Sequence, residues 1–266
     1  QRISAILDFL EGKFKLNNLR ILKQFNGCCF ADLDLKQQGV IEDFQLLFYI
    51  IQPPTPERVK YDIFDRVNRG GTPLNKQEMR NALYRGRCTR MLDKLCCSPE
   101  FLIATGRSIN KERMKDQYVV LRAMAFLMLH RGEFKDIPAL QYRGDIDDFL
   151  ARFMVYVNDN APEKLIVDYE NLFIRCMQIS YDLLGENGFR FSGNGIRRPI
   201  NMPLFEALSY LFSFVPEKID YTWASRLILD IESVKEEFDD SRYFSGNIDS
   251  TTSVSFRFDR MDKIIN

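Results

Sequence analysis

The stretch YDIFDRVNRGGTPLNKQEMRNALY, residues 61–84, decides how the rest of the chain is read. Its first part belongs to a helix that Thr55 can cap, with Pro56 in the first turn and an apolar stripe of Val59, Ile63, Phe64 and Val67. A loop follows over residues 68–74. Asn75 then caps a second helix, with Glu78 three residues on in a capping-box arrangement. Gly70 and Gly71 permit positive φ and a close backbone approach by a ligand, and Pro73 stiffens the exit. Arg66 and Arg69 flank the turn with guanidinium donors suited to bidentate phosphate contact. The free N–H groups of the second helix start point outward, as in anion sites. An ordinary helix–turn–helix connection with structural glycines explains the same residues, so physics alone leaves both readings open.

Upstream, residues 3–10 carry apolar side chains at helical spacing, with Gly12 as a stop. Residues 14–22 read as a short strand and turn, 32–43 as a helix, and 45–51 (QLLFYII) as a buried strand ended by Pro53 and Pro54. Downstream, helices are expected over 113–130, 146–157, 165–184, 202–214 and 221–237, separated by breaks such as DNAPEK and GENGFRFSGNG. Residues 241–255 read as a surface connection before a final segment at 256–265, and Trp223 as a core residue. The expected fold class is α+β, with a small front part over residues 1–100 and a helical domain over 101–266.

Bulk properties narrow the function. At 266 residues, 45% hydrophobic and 28% charged, the chain has the composition of a folded globular protein. Lys plus Arg and Asp plus Glu each number 37, which argues against a strongly basic nucleic-acid coat protein but leaves room for a local basic patch. Six cysteines, two pairs of them adjacent, show no zinc spacing and read as reduced, mostly buried thiols of a cytoplasmic protein. No apolar run approaches the roughly 18–20 residues of a membrane span, and no signal peptide opens the chain. It begins Gln1-Arg2, which reads as a processed or truncated start. The single histidine, His130, excludes His-dependent chemistry such as an HNH nuclease site or a Ser-His-Asp triad within the chain. Its position suggests a helix-end residue that meets the final carbonyls.

Phe64-Asp65-Arg66-Val67-Asn68-Arg69-Gly70-Gly71-Thr72-Pro73-Leu74, followed by Gln77-Glu78-Met79-Arg80-Asn81-Ala82-Leu83-Tyr84, resembles the F-x-R-I-N-x-G-G-T-P-L…Q-E-x-R-N-A-L-Y signature of the GmrSD-type N-terminal domain. This is the large bacterial domain-of-unknown-function family 262, related in fold to ParB nucleases and sulfiredoxin. Val67 replaces the usual isoleucine. Gln1-Arg2-Ile3-Ser4-Ala5-Ile6 resembles the end of the family's Asp-Gly-Gln-Gln-Arg motif. The blocks Met114-Lys115-Asp116 through Phe126, Phe189-Arg190, Arg197 through Asn201, and Leu204 through Ala207 resemble further family segments. The likeness covers most of the chain and is most specific in its first third.

The resemblance implies a ParB/sulfiredoxin-like phosphate-binding part followed by a helical body, acting as an NTP-binding and NTP-hydrolysing module of a DNA-restriction or phage-defence system. Gln1 and Arg2 become direct phosphate contacts, Arg2 with a catalytic part, while Asn68, Gly70 and Gly71 form a facing loop. The family's Asp, Gly and first Gln fall before Gln1. Mg²⁺ is the expected companion of the nucleotide; an HNH nuclease domain or subunit and DNA are the expected partners.

Other candidates keep two readings. Glu78 is a general base beside the loop or the acidic member of a capping box, the second being the one its position favours. Arg80 and Asn81 reach phosphate or fix the loop from behind, and Tyr84 packs. Arg190, Arg197 and Arg198, with Gly193 and Gly195, form a second basic glycine loop that can track a nucleic-acid backbone or lie in solvent. Asp145, Asp147 and Asp148 read as caps rather than metal ligands, and no structural metal is expected. The alternative functions are a DNA-binding module that senses modified DNA and a purely interacting subunit.

Overall fold

The computed structural model describes residues 2–48, 50, 52, 59, 63, 66, 73–191, 197–216, 218, 220–241 and 243–265, with only the backbone of Arg2. It divides into two compact units, Gln1–Thr55 and Pro56–Asn266. Residue 100 lies within a helix of the second unit.

The first unit holds α1 (Arg2–Leu10), α2 (Leu35–Glu42) and two short 3₁₀ turns between them. Phe9 and Leu33 are its buried apolar residues, and the Phe9 ring packs against Phe14 and Phe30 at 5.6 and 5.9 Å. Asp34 caps α2 by accepting the Gln37 N–H at 2.7 Å. No strand occurs among the described residues, which include all of 14–22 and, of 45–51, residues 45–48 and 50. Leu16 exchanges two backbone bonds with residues 27 and 28, which closes a loop without extending into a ladder. Leu47 and Ile50, expected to be buried, are each 80% exposed. A β-rich apolar sequence becomes a strand only when a neighbour accepts its backbone hydrogen bonds, and 44–48 finds none among the described residues. The α+β front part is therefore not seen, whereas the mainly helical body is.

In the second unit α3 (Lys76–Leu83), α4 (Arg87–Cys96) and α5 (Pro99–Ala104) precede the central helix α6 (Lys115–His130). Then come α7 (Ile146–Asp159), α8 (Glu163–Leu184), α9 (Met202–Phe212), α10 (Tyr221–Asp239) and α11 (Thr251–Ile265). Residues 119–128 are all buried, so α6 is apolar nearly all round, the pattern of a helix surrounded by others. It packs against α4, α7 and α9, while α9 also meets α8 and α11. The corner between α3 and α4 is pinned by Asn158 of α7, which donates to Tyr84 O and accepts from the Cys88 N–H, both at 2.9 Å. A side chain at Gly86 would place its Cβ 2.5 Å from Asn158 Oδ1 and push that amide off its two bonds.

Charge is buried with partners. Glu206 of α9 is fully enclosed and accepts from Arg122 of α6 on one oxygen and from Arg257 of α11, at 3.1 Å, on the other. Arg122 also donates to Asp249 at 2.6 Å and to the Tyr118 hydroxyl at 3.1 Å. Arg257 donates to Ile248 O at 2.6 Å.

Three local expectations are corrected. His130 does not serve the last carbonyls of α6: its ring stacks on Phe258 at 3.6 Å, and Nε2 is buried with no hydrogen-bond partner among the described residues. Residues 251–255 belong to α11, not to a connection, and begin a helix that buries Val254, Phe258 and Met261. Trp223 sits in the first turn of α10 with 39% of its surface exposed, because the buried stripe of that helix is Leu227, Ile231, Val234 and Phe238. All six cysteines are free; Cys88, Cys96 and Cys176 are buried. No helix among the described residues is long and apolar enough to cross a membrane.

Burial, with the nearby Arg257 cation, lowers the His130 pKa to about 4. The unfolded chain takes up this proton near pH 6.5 and the folded chain only near 4. Stability is therefore full above about pH 6.5 and falls as the pH drops toward 4, with about 2 kcal/mol lost by pH 5. Urea titrations at pH 7.5 and 5 are expected to show this loss, and His130→Phe to remove it. Glu206→Ala leaves two guanidinium groups without their shared carboxylate and is expected to cost about 3–5 kcal/mol in the same measurement.

Candidate functional site

Asn75 starts α3 as expected: its Oδ1 accepts the Gln77 and Glu78 N–H groups, both at 2.8 Å, and the Glu78 carboxylate accepts the Asn75 N–H at 2.7 Å. The capping box thus explains Glu78. Its carboxylate has a second task, accepting from Arg113 Nη2 at 3.0 Å. The same Nη2 donates to Pro73 O at 2.6 Å, and Asn75 Nδ2 donates back to Arg113 O at 2.7 Å. These bonds stitch the turn before α6 onto the start of α3.

That turn is strained. Arg113 and Met114 both have left-handed backbones, φ 56° and 59°, though neither is glycine. Such residues cost on the order of 1–3 kcal/mol each and persist where surrounding contacts over-determine them. Met114 occupies the N-cap position of α6 and supplies no side-chain cap.

Between the two helix starts lies a cleft of about 510 Å³ lined by Lys76, Gln77, Arg80, Arg113, Lys115 and Tyr118, among others. Arg80 is fully buried; it donates to Gln77 Oε1 at 3.0 Å and to Asp147 Oδ1 at 2.8 Å, and its guanidinium lies 5.3 Å from the centre of the Tyr118 ring. Arg122 lies 5.6 Å from that centre, so two cations hold one ring. Lys76 pairs with the other Asp147 oxygen. Burial works to raise the Asp147 pKa, but hydrogen bonds from Lys76 and Arg80 outweigh it and hold the carboxyl below its usual range. Glu78 is likewise held low: burial opposes ionisation, and the Asn75 N–H and Arg113 more than offset it. A carboxylate so stabilised is a weak proton acceptor. Behind the cleft, Asn81 donates to Gln117, which donates to Asp93 at 2.6 Å.

The cleft thus brings Arg80 together with Lys76, Arg113, Lys115 and Tyr118, which sequence reasoning did not single out, and Glu78 is tied to it through Arg113. A signal existed: residues 73–115 contain ten Lys or Arg and four Asp or Glu in a chain of zero net charge. Gln1, Asn68, Arg69, Gly70 and Gly71 lie outside the described residues, as does the Arg2 side chain. Arg66 is helical and exposed.

The second basic loop has internal partners. Arg190 is buried and donates to Glu186 O and Thr105 O at 3.2 and 3.1 Å, and to Arg198 O and Ser108 Oγ. Arg197 pairs with Glu186 at 2.7 Å and Arg198 with Asp239. Gly193 and Gly195 lie outside the described residues. Asp145 caps α7 by accepting from the N–H groups of Asp147 and Asp148 at 3.0 and 3.1 Å, and Asp148 pairs with Arg152. Among the described residues no group of three His, Cys, Asp or Glu side chains is placed to hold a metal ion.

No family model, curated protein or solved structure matches the chain.

Asn75→Ala removes the oxygen that accepts two N–H groups at the α3 start and the donor to Arg113 O. It is expected to lower stability by about 1–2 kcal/mol in urea titrations, and Asn75→Asp, which keeps the acceptors, by less.

Proposed function

We propose that this cleft holds the phosphates of a nucleotide and that the chain is an NTP-binding, NTP-hydrolysing module of a GmrSD-like DNA-restriction or phage-defence system. The observation that carries the reading is the convergence of Lys76, Arg80, Arg113 and Lys115 on one cleft beside the start of α3. Cations gathered in a partly enclosed site favour a compact, highly charged anion. Residues 73–84 belong to the segment whose sequence resembles the family signature, and the ParB/sulfiredoxin-like α+β front part is proposed on that resemblance. The segment containing Gly70 and Gly71 is proposed to add phosphate contacts, with Mg²⁺ accompanying the NTP; Arg2, in the first unit, is proposed as a phosphate contact on the resemblance alone. Glu78, held ionised by its partners, is assigned to positioning rather than to proton abstraction. The HNH nuclease activity is assigned to another domain or subunit, in the cytoplasm of a bacterium.

A second reading, a DNA-binding module without its own chemistry, draws on the basic excess across residues 73–115. A DNA backbone contact of this kind weakens steeply with salt.

Calorimetry with ATP, GTP and inorganic tripolyphosphate separates the readings. Saturable binding of an NTP and of tripolyphosphate is expected, weakened about tenfold or more by Lys115→Ala combined with Arg113→Ala, as when charge-assisted contacts are lost. Absence of binding by all three ligands rejects the nucleotide reading. Tight, salt-sensitive binding of a DNA duplex in their place supports the second.

A further inference from the structure

The four cations of the cleft are not equally available. Lys76 and Arg80 share Asp147, and Arg80 is fully enclosed, fixed by Gln77 and stacked near Tyr118. Arg80 can contribute its field but has no freedom to turn toward a ligand. Lys115 is exposed and carries no ion pair among the described residues. Arg113 is the intermediate case. Its side chain is 52% exposed, yet Nε and Nη2, one edge of the guanidinium fork, are held by the Glu78 carboxylate, at 3.4 and 3.0 Å, and by Pro73 O. Glu78 is the less exposed partner, at 19%, and is anchored by the Asn75 N–H, so the mobile half of the pair is the arginine.

We infer, on the reading of the cleft as a phosphate site, that Glu78 is a built-in competitor for the ligand: its carboxylate occupies Arg113 in place of a phosphate, and binding is an exchange of one anion for the other. The chemistry of the exchange is balanced. A half-exposed ion pair is weak, and a guanidinium fork donates to a phosphate as readily as to a carboxylate. The strained backbone of Arg113 and Met114 projects this side chain from the turn, and the bonds of that turn to Pro73 and Asn75 are the contacts the exchange disturbs. Leaving Glu78 breaks the bond of Arg113 to Pro73 O as well. Glu78 is thereby a positioning residue that sets affinity, with no contact of its own to the phosphate.

The test uses the full chain, tripolyphosphate as probe, and calorimetry. Glu78→Gln keeps an acceptor for the Asn75 N–H, since glutamine serves in a capping box, but cancels the charge that holds Arg113. It is expected to bind tripolyphosphate about three- to tenfold more tightly than the parent, the equivalent of removing one weak ion pair. A purely structural Glu78 predicts equal or weaker binding. Arg113→Lys keeps the charge without the fork and is expected to bind about threefold or more weakly. Thermal melts of both variants without ligand verify that they fold. Parent binding left unchanged or weakened by Glu78→Gln overturns the exchange and leaves the phosphate reading standing. No binding by parent and Glu78→Gln alike overturns both, whereas binding gained only in Glu78→Gln supports the exchange. Arg113→Lys binding as tightly as the parent overturns the assignment of Arg113.

Discussion

One carboxylate organises the helical unit. Glu206 accepts two arginines from two different helices, and each arginine reaches on to further groups, Asp249 and Tyr118 on one side and Ile248 O on the other. A charge in this position is tolerated only while its partners stay in place, since an uncompensated buried ion costs several kcal/mol. The geometry therefore sets the relative placement of α6, α9 and α11 more strictly than apolar contact would. Apolar packing is non-directional and tolerates sliding by a fraction of a turn. The pairs are not needed to make the core cohesive, because the aromatic cluster of Phe126, Phe149 and Phe258 around α6 already does so. What they add is a single register.

The helical unit was largely legible in the sequence because its signals are long and local. The helices α7 to α10 start and stop within a few residues of the positions that periodicity and capping residues indicate, and the Asn75–Glu78 cap is found where the sequence places it. Two of the failures have one physical origin: dependence on distant partners. The run at 45–51 has strand composition, but composition states only that such residues suit a sheet. His130 looks like a helix-end donor until Phe258, 128 residues away, is seen to cover it. The start of α11 was hidden because Ser, Thr and Asp read as loop residues, whereas Ser250 and Ser253 bond to each other at 2.8 Å and begin a helix.

The cleft was half legible. Lys76 and Arg80 stand in or beside a conspicuous motif, whereas Arg113, Lys115 and Tyr118 come from a turn and helix about 35 residues further on. Only the fold brings the two starts together. The strained turn had no sequence signature at all, since Arg and Met are not residues that announce a left-handed backbone. Strain of this kind is legible only through the contacts that hold it, here Pro73 O, Glu78 and Asn75 Nδ2.

Tyr118 and Arg122 stand one turn apart on α6, the first lining the cleft and the second bound to Glu206. Because the Tyr118 hydroxyl accepts from Arg122, a single turn of helix carries both the recognition surface and the anchor of the core. Sequence drift therefore has no independent path at these two places. A lineage that relaxed the core around Glu206 would shift the ring on which Arg80 rests, and one that reshaped the cleft at Tyr118 would leave a buried arginine with one acceptor fewer. The two ends of this turn are bound to change together, or not at all.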